Sequence, residues 1–201
     1  AGVERSDAGA ARLAATLHGV KVENSGAQID AVGYSLGTTM TAQAVGRTPG
    51  LVSHVWLIGS AGVTTEARDS LAAQVSSGQV SLSVTEADAD TTARWGRDEL
   101  IGSRHTHDPR AIAGADVFGS DGGWVVGYGS DEGEWGGPTE GHNAHETTVD
   151  RFAGWYVDAN GGLYPTWAKE PQRGYLDPSA ESFKHLVMGL REDLTGKEKC
   201  R

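Results

Sequence analysis

Cysteine is nearly missing from the chain: the 201 residues hold one, Cys200, in a polar tail. That excludes an internal disulfide framework and a cysteine-ligated metal cluster, and leaves a free thiol or a bond to another chain. Basic residues are also scarce, with 17 Lys and Arg against 27 Asp and Glu and a formal net charge of −10. A nucleic-acid groove needs clustered Lys and Arg to neutralise phosphates, and no such cluster occurs, so nucleic acid is not expected as a partner. No apolar run approaches the roughly 20 residues that span a bilayer, and no charged-then-apolar leader opens the chain. The chain as given therefore reads as soluble, without a membrane span. It begins with Ala1 rather than Met, which fits a processed, secreted or partial chain. At 38% hydrophobic residues it can bury one real core but not two, so a single domain over residues 1–201 is expected.

Glycine, in contrast, is abundant at 29 residues, and two glycines frame a serine. The short run Ile29-Asp30-Ala31-Val32 leads into Gly33-Tyr34-Ser35-Leu36-Gly37 and passes directly into the small residues Thr38-Thr39-Met40-Thr41-Ala42. Strand, Gly-x-Ser-x-Gly, helix is the order of a nucleophile elbow. A serine on so tight a turn needs a strained backbone, and glycine neighbours let the turn and the packing beneath it close. Ser35 would then stand at the N-terminus of the following helix, whose positive end and free N–H groups favour a developing oxyanion, the Leu36 N–H being one donor. In a glycine-rich chain the pentapeptide can arise by chance; the strand before it and the helix after it single it out.

The pattern along the chain predicts a helix over 7–17 closed by Gly19, a strand over 28–34, and a helix over 36–45 stopped by Gly46 and Pro49. A nearly continuous apolar strand over 54–60, a helix over 65–75 and an alternating strand over 80–84 follow. This rhythm argues for an α/β fold with a mostly parallel sheet and flanking helices. In such sheets functional residues gather where strands end, and the third strand runs into Thr85-Glu86-Ala87-Asp88-Ala89-Asp90. From 102 to 174 the text turns to Gly, Trp, His and Asp with weak periodicity, expected as long loops or a cap with one short strand near 124–128. An amphipathic helix over 179–194 closes the chain, and no internal repeat is visible.

A serine hydroxyl is a weak nucleophile and needs a base within hydrogen-bond reach and a carboxylate to orient that base. After an elbow the expected order is serine, acid, histidine. Asp88 or Asp90, followed by His142 or His145, supply it. His18, His54 and His185 fall on predicted helices or a strand start and read as structural or exposed. His142, within Gly141-His142-Asn143-Ala144-His145, lies on a glycine-flanked loop that suits a catalytic histidine. The acids have a plainer reading as a solvated turn. Two groupings, His142 with His145 and Glu146 and His105 with His107 and Asp108, raise metal binding as a rival, but there is no HExxH pattern and no metal or other cofactor is expected. Trp124, Trp135, Trp155 and Trp167 either line an apolar pocket or pack loops that lack a core.

The segments Val32-Gly33-Tyr34-Ser35-Leu36-Gly37-Thr38-Thr39 and Val55-Trp56-Leu57-Ile58-Gly59-Ser60-Ala61-Gly62-Val63 resemble an α/β-hydrolase family, found mainly in actinobacteria, of formerly unknown function. That family has a Gly-His-Ser-Tyr-Gly-Ser elbow and a Leu-x-Gly-Ser-Pro-Gly-Val segment; Tyr34 here replaces the histidine before the serine, and Ala61 the proline. Ala87-Asp88-Ala89-Asp90 is similar to its Ala-Asp-x-Asp-Pro, and the resemblance implies Asp90 as the triad acid, with Asp88 as substitute. The likeness resumes at Asp108-Pro109-Arg110, Val117-Phe118-Gly119 and the stretch from Gly174-Tyr175 to Ser182, so it extends over nearly the whole chain. Members carry Gly-His-Ser shortly before that last motif. By strict spacing Gln172 stands there, and Gly141-His142-Asn143 takes the place if the residues between are an insertion. His142 is the expected base, with His145 as substitute.

The resemblance implies a serine hydrolase acting on an ester or acyl substrate; the alternative is an inactive domain of the same fold whose acidic, Trp-rich loops bind a partner. In that fold the strand feeding the elbow is central, with earlier strands of the chain on its other side. Only one helix precedes the strand here, so the resemblance implies that the chain corresponds to the C-terminal half of the fold, and the N-terminal strands are expected to lie outside it. A companion polypeptide completing the sheet is expected, with Cys200 as a possible tether and the second oxyanion N–H among what it supplies.

Overall fold

The strand β2 (His54–Ile58) is buried at all five positions, and the reason lies on both sides of it. Val55 and Leu57 join a core with Val45, Ala67 and Leu71 on one face, whereas Trp56 and Ile58 join Tyr175 and Leu186 on the other. A strand covered on both faces has no polar side to show, hence the apolar run. Each such aliphatic side chain, fully buried, contributes about 1.5–3 kcal/mol. The structure is a computed structural model and describes residues 2–98, 105–128 and 130–195, with side chains from residue 5 onward. Cys200 lies outside the described residues.

Four parallel strands form the main sheet in the order β1 (Asp30–Tyr34), β2, β3 (Ser81–Thr85) and β4 (Asp116–Val117). The helices α1 (Gly2–Glu23), α2 (Leu36–Arg47) and α3 (Thr65–Ser76) contribute Leu17, Val45 and Leu71 to the core of the first face. On the second face lies α5 (Glu181–Thr195), with Leu186 and Leu190 against Trp56. The register aligns Tyr34 with Ile58 and Ile58 with Thr85, so the loops after β1, β2 and β3 open along one edge of the sheet. β1 stands at the end of the order, and Val32 in its middle is 45% exposed.

At the start of β2, away from those loops, His54 Nδ1 lies 2.8 Å from Asp193 Oδ2 and its Nε2 2.8 Å from Ser83 Oγ. This is also a Ser-His-Asp chain of hydrogen bonds, but Ser83 has no exposed surface. It ties the end of α5 to the sheet. Nearby, a Cβ at Gly189 of α5 would overlap the Trp56 indole, so glycine is what lets the indole lie against the helix.

Several predicted boundaries move. The helix α1 runs through Gly19, where a side chain would meet nothing, so the glycine costs only its propensity, about 1 kcal/mol. Strand β2 stops at Ile58 because Gly59 adopts φ 55. A short helix not anticipated, α4 (Thr91–Gly96), begins immediately after Asp90.

The region expected as loops over 102–174 holds more strand than the sequence suggested. Besides β4, it contains the antiparallel pair β5 (Gly123–Val125) and β6 (Glu134–Gly136), and a long hairpin of β7 (Thr147–Val157) and β8 (Leu163–Gln172). Gly154, Pro165 and Pro171 interrupt the hairpin's alternation, and neither face is buried, so there was no polarity period to read. Among the described residues, no helix is long and apolar enough to cross a membrane.

Candidate active site

Ser35 is the only non-glycine among the described residues with positive φ, at φ 54 and ψ −127. Holding an L-residue there costs roughly 1–3 kcal/mol, which the flanking strand and helix must absorb. Its N–H donates to Ile58 O at 3.0 Å, and its carbonyl receives the Thr38 N–H at 3.0 Å and the Thr38 hydroxyl at 2.6 Å. Gly33 is required by contact: a Cβ there would lie 2.9 Å from the Thr38 Cα and 2.9 Å from the Thr41 hydroxyl. Gly37 is not, since a Cβ would meet nothing, and the sequence expectation of tight packing at both glycines is corrected to one. Leu36 is the first residue of α2, so its N–H has no acceptor within the helix.

The partly exposed Ser35 Oγ lies 2.6 Å from His142 Nε2, and His142 Nδ1 lies 2.7 Å from Asp90 Oδ2. A carboxylate only accepts, so Nδ1 carries the proton and Nε2 is free to receive one from the serine. Asp90 has no exposed surface. Its Oδ1 caps α4 by accepting the Ala93 N–H at 2.9 Å, and its Oδ2 also accepts the Tyr175 hydroxyl at 2.8 Å. Burial alone would raise the Asp90 pKa, but the hydrogen bonds from His142, Ala93 and Tyr175 outweigh it and hold the carboxyl below its ordinary value.

Two tyrosines frame this relay, and sequence reasoning assigned a role to neither. Tyr175 is fully buried; its hydroxyl accepts the Ala87 N–H at 2.8 Å while donating to Asp90. Burial, with the charge of Asp90 adding to it, pushes its phenol far above the ordinary range. The Tyr34 ring stacks on the His142 imidazole with centroids 5.5 Å apart, and its hydroxyl donates to the His142 carbonyl. Burial and then the Asp90 charge push the Tyr34 phenol up to about 12. The residue that replaces the histidine of the resembled family thus holds the imidazole from the side. Gly59 leaves the space for both partners, since a Cβ there would come 2.9 Å from the Tyr175 ring and 3.3 Å from Asp90 Oδ2.

The long hairpin explains how His142 reaches Ser35 although Gln172 holds the nominal spacing. The chain leaves at Thr147 and returns at Gln172, and the two flanks are stitched together by Tyr175 N–H to Asn143 O at 2.9 Å and Leu176 N–H to Ala144 O at 2.6 Å. The strands are an excursion between two segments that lie side by side, with Gln172 next to Gly141.

The substitutes fall elsewhere. Asp88 is exposed, its N–H taken by the Asp121 carboxylate and its carbonyl by Arg94, and His145 is exposed. The acidic loop is fixed from behind, where Glu86, 7% exposed, pairs with Arg97 and Arg110. His105 Nδ1 donates to Ala61 O at 3.1 Å and His107 Nε2 lies 3.0 Å from the Thr65 hydroxyl; among the described residues no three His, Cys, Asp or Glu side chains gather to hold a metal. Of the tryptophans, Trp124 and Trp135 stack edge-to-face on the β5–β6 pair and Trp155 and Trp167 lie on the β7–β8 hairpin, all more than half exposed.

No curated protein and no solved structure matches the chain. Residues 1–93, which carry α1 to α3, β1 to β3, Ser35 and Asp90, match the model of a family described as alpha/beta hydrolase. With its parallel sheet between helices on both faces, the chain has an α/β-hydrolase-like fold.

Proposed function

We propose that the protein is a serine hydrolase that cleaves carboxylic esters through an acyl-enzyme on Ser35. The observation that carries this reading is the unbroken hydrogen-bond chain from the strained Ser35 through His142 to the buried Asp90. Ser35 Oγ attacks the ester carbonyl carbon as His142 Nε2 takes its proton. Asp90 balances the imidazolium and holds its Nδ1–H. The negative oxygen of the tetrahedral intermediate accepts the Leu36 N–H at the positive end of α2. The intermediate collapses, the C–O bond to the alcohol breaks, and His142 returns the proton to the departing oxygen. Water then repeats the sequence on the acyl-enzyme, with His142 as base and then acid, and releases the acid and free Ser35.

In this reading the chain is the C-terminal portion of the fold of the actinobacterial family it resembles, and a further segment, from the same precursor or a companion chain, pairs with β1. Support comes from the position of β1 at the end of the strand order and from the exposure of Val32. That segment supplies the second oxyanion N–H, a donor of a kind worth about 2.7–4 kcal/mol in the transition state.

The test is hydrolysis of a p-nitrophenyl ester by the folded, fully assembled protein and by Ser35→Ala. The reading expects release of p-nitrophenolate at least stoichiometric with protein and lost in Ser35→Ala. Equal rates in both would refute it, and inertness would favour an inactive binding domain.

A further inference from the structure

The β7–β8 hairpin is the least buried part of the described chain: nearly every residue is exposed and none is buried. At 3.4 Å per residue its 11-residue strand extends roughly 35 Å. A two-stranded hairpin of this kind is marginal by itself in water unless one face is covered.

Its two faces differ. Cross-strand partners point to the same side, and the register pairs Phe152 with Trp167, Trp155 with Pro165 and Val157 with Leu163. The irregularity at residues 152–154 keeps these three pairs on one face, where Phe152 contacts both Trp155 and Trp167 edge-to-face at 5.5 and 6.0 Å. The other face carries the Arg151–Glu170 ion pair, Thr166 and two tyrosines. Phe152, Trp155 and Trp167 are 51%, 61% and 60% exposed, and Val157 and Leu163 are 57% and 60% exposed. Given about 150–250 Å² for an aromatic side chain, the apolar face offers roughly 600 Å². That is at the top of the range for the largest apolar patch on a typical monomer, about 300–600 Å², and approaches the roughly 800 Å² per partner of a standard interface.

We infer that this face binds the same face of a second copy of the chain, forming a two-fold dimer. The area suits it, because two such faces with their rims reach the size of a stable interface. The charges suit it as well. On the apolar side, toward the root, Asp150 stands opposite Lys169. A two-fold axis along the hairpin sets β7 of one copy over β8 of the other, so Asp150 meets the Lys169 position of the second copy, and Phe152 meets the Trp167 position, with the reciprocal pairs made by symmetry. A lipid surface fits less well. The tip is a polar turn in which Asp158 accepts the Asn160 and Gly162 N–H groups. The inference is independent of the reaction proposed for Ser35.

The test is sedimentation equilibrium on the full chain, with circular dichroism as a check on folding. A species with two copies of the 21.1 kDa chain, together with any segment bound to each, is expected at micromolar concentration. Trp155→Asp and Trp167→Ser should weaken it by tenfold or more in Kd, as anchors at an interface centre do. Asp150→Lys, which sets lysine against lysine, should weaken it, and the double variant Asp150→Lys with Lys169→Asp should restore it. A monomer at all concentrations overturns the inference, as does a dimer indifferent to the two tryptophan variants. Monomeric protein that instead binds phosphatidylcholine vesicles through Trp155 and Trp167 also overturns it, in favour of a lipid surface.

Discussion

The Tyr175 hydroxyl donates to the same Asp90 oxygen that receives the His142 Nδ1–H, at 2.8 and 2.7 Å respectively. One buried carboxylate oxygen thus joins the body of the fold to the reactive surface. Removing the hydroxyl leaves the buried Ala87 N–H without its acceptor, at a cost of about 1–3 kcal/mol. Tyr175→Phe is therefore expected to lower the thermal midpoint by several degrees while reducing ester turnover far less than loss of His142 does. The measurement is a calorimetric scan paired with kcat and KM. Unchanged stability would contradict the account of this hydrogen bond.

Acid and base should separate sharply from their neighbours. His142→Gln should reduce turnover by a few orders of magnitude and His145→Gln hardly at all, because a relay of this kind acts as a unit. Asp90→Asn should do the same, and Asp88→Asn should not. Asp90→Asn also places an amide where Oδ2 accepts two donors, so some stability is lost with it. Comparable turnover in Asp90→Asn and Asp88→Asn would mean that the orienting carboxylate lies elsewhere.

Alkaline stability follows from Tyr34, whose phenol is pushed from the ordinary 10.0 up to about 12 by burial and the Asp90 charge. Because the folded value is raised, this contribution is fully present below pH 10 and is lost as the pH rises toward 12. Tyr175 shifts in the same direction. The urea midpoint should fall between pH 10 and 12, and fall less steeply in Tyr34→Phe. Identical slopes in the two proteins would contradict the burial argument.

The open edge at β1 makes a prediction about composition. Active preparations should contain a second polypeptide segment, seen by intact and native mass spectrometry. Activity from material whose only component is the 21.1 kDa chain would contradict the proposal that the edge is filled.

How much of this was legible in the sequence depended on how local the signal was. The strained serine, the parallel strands and the helices around them left clear marks, because Ser35 sits between a strand and a helix and β2 is apolar throughout. Asp90 and His142 are brought to Ser35 from 55 and 107 residues away, and only the resemblance to a family singled out Asp90 over Asp88. Tyr175 carries no local signal, because a buried tyrosine whose partners are 85 and 88 residues distant leaves no local pattern. The hairpin reads as loop in the sequence for the opposite reason. Its strands lie away from the core, so burial never imposed the alternation by which a strand is recognised.

Labelling with a fluorophosphonate probe reports whether His142 and Asp90 make Ser35 a nucleophile. The folded, fully assembled protein should take up one probe per chain, mapped to Ser35, with no reaction in Ser35→Ala and a much slower one in His142→Gln. Inertness of the wild-type protein, or labelling that persists in Ser35→Ala, would contradict it.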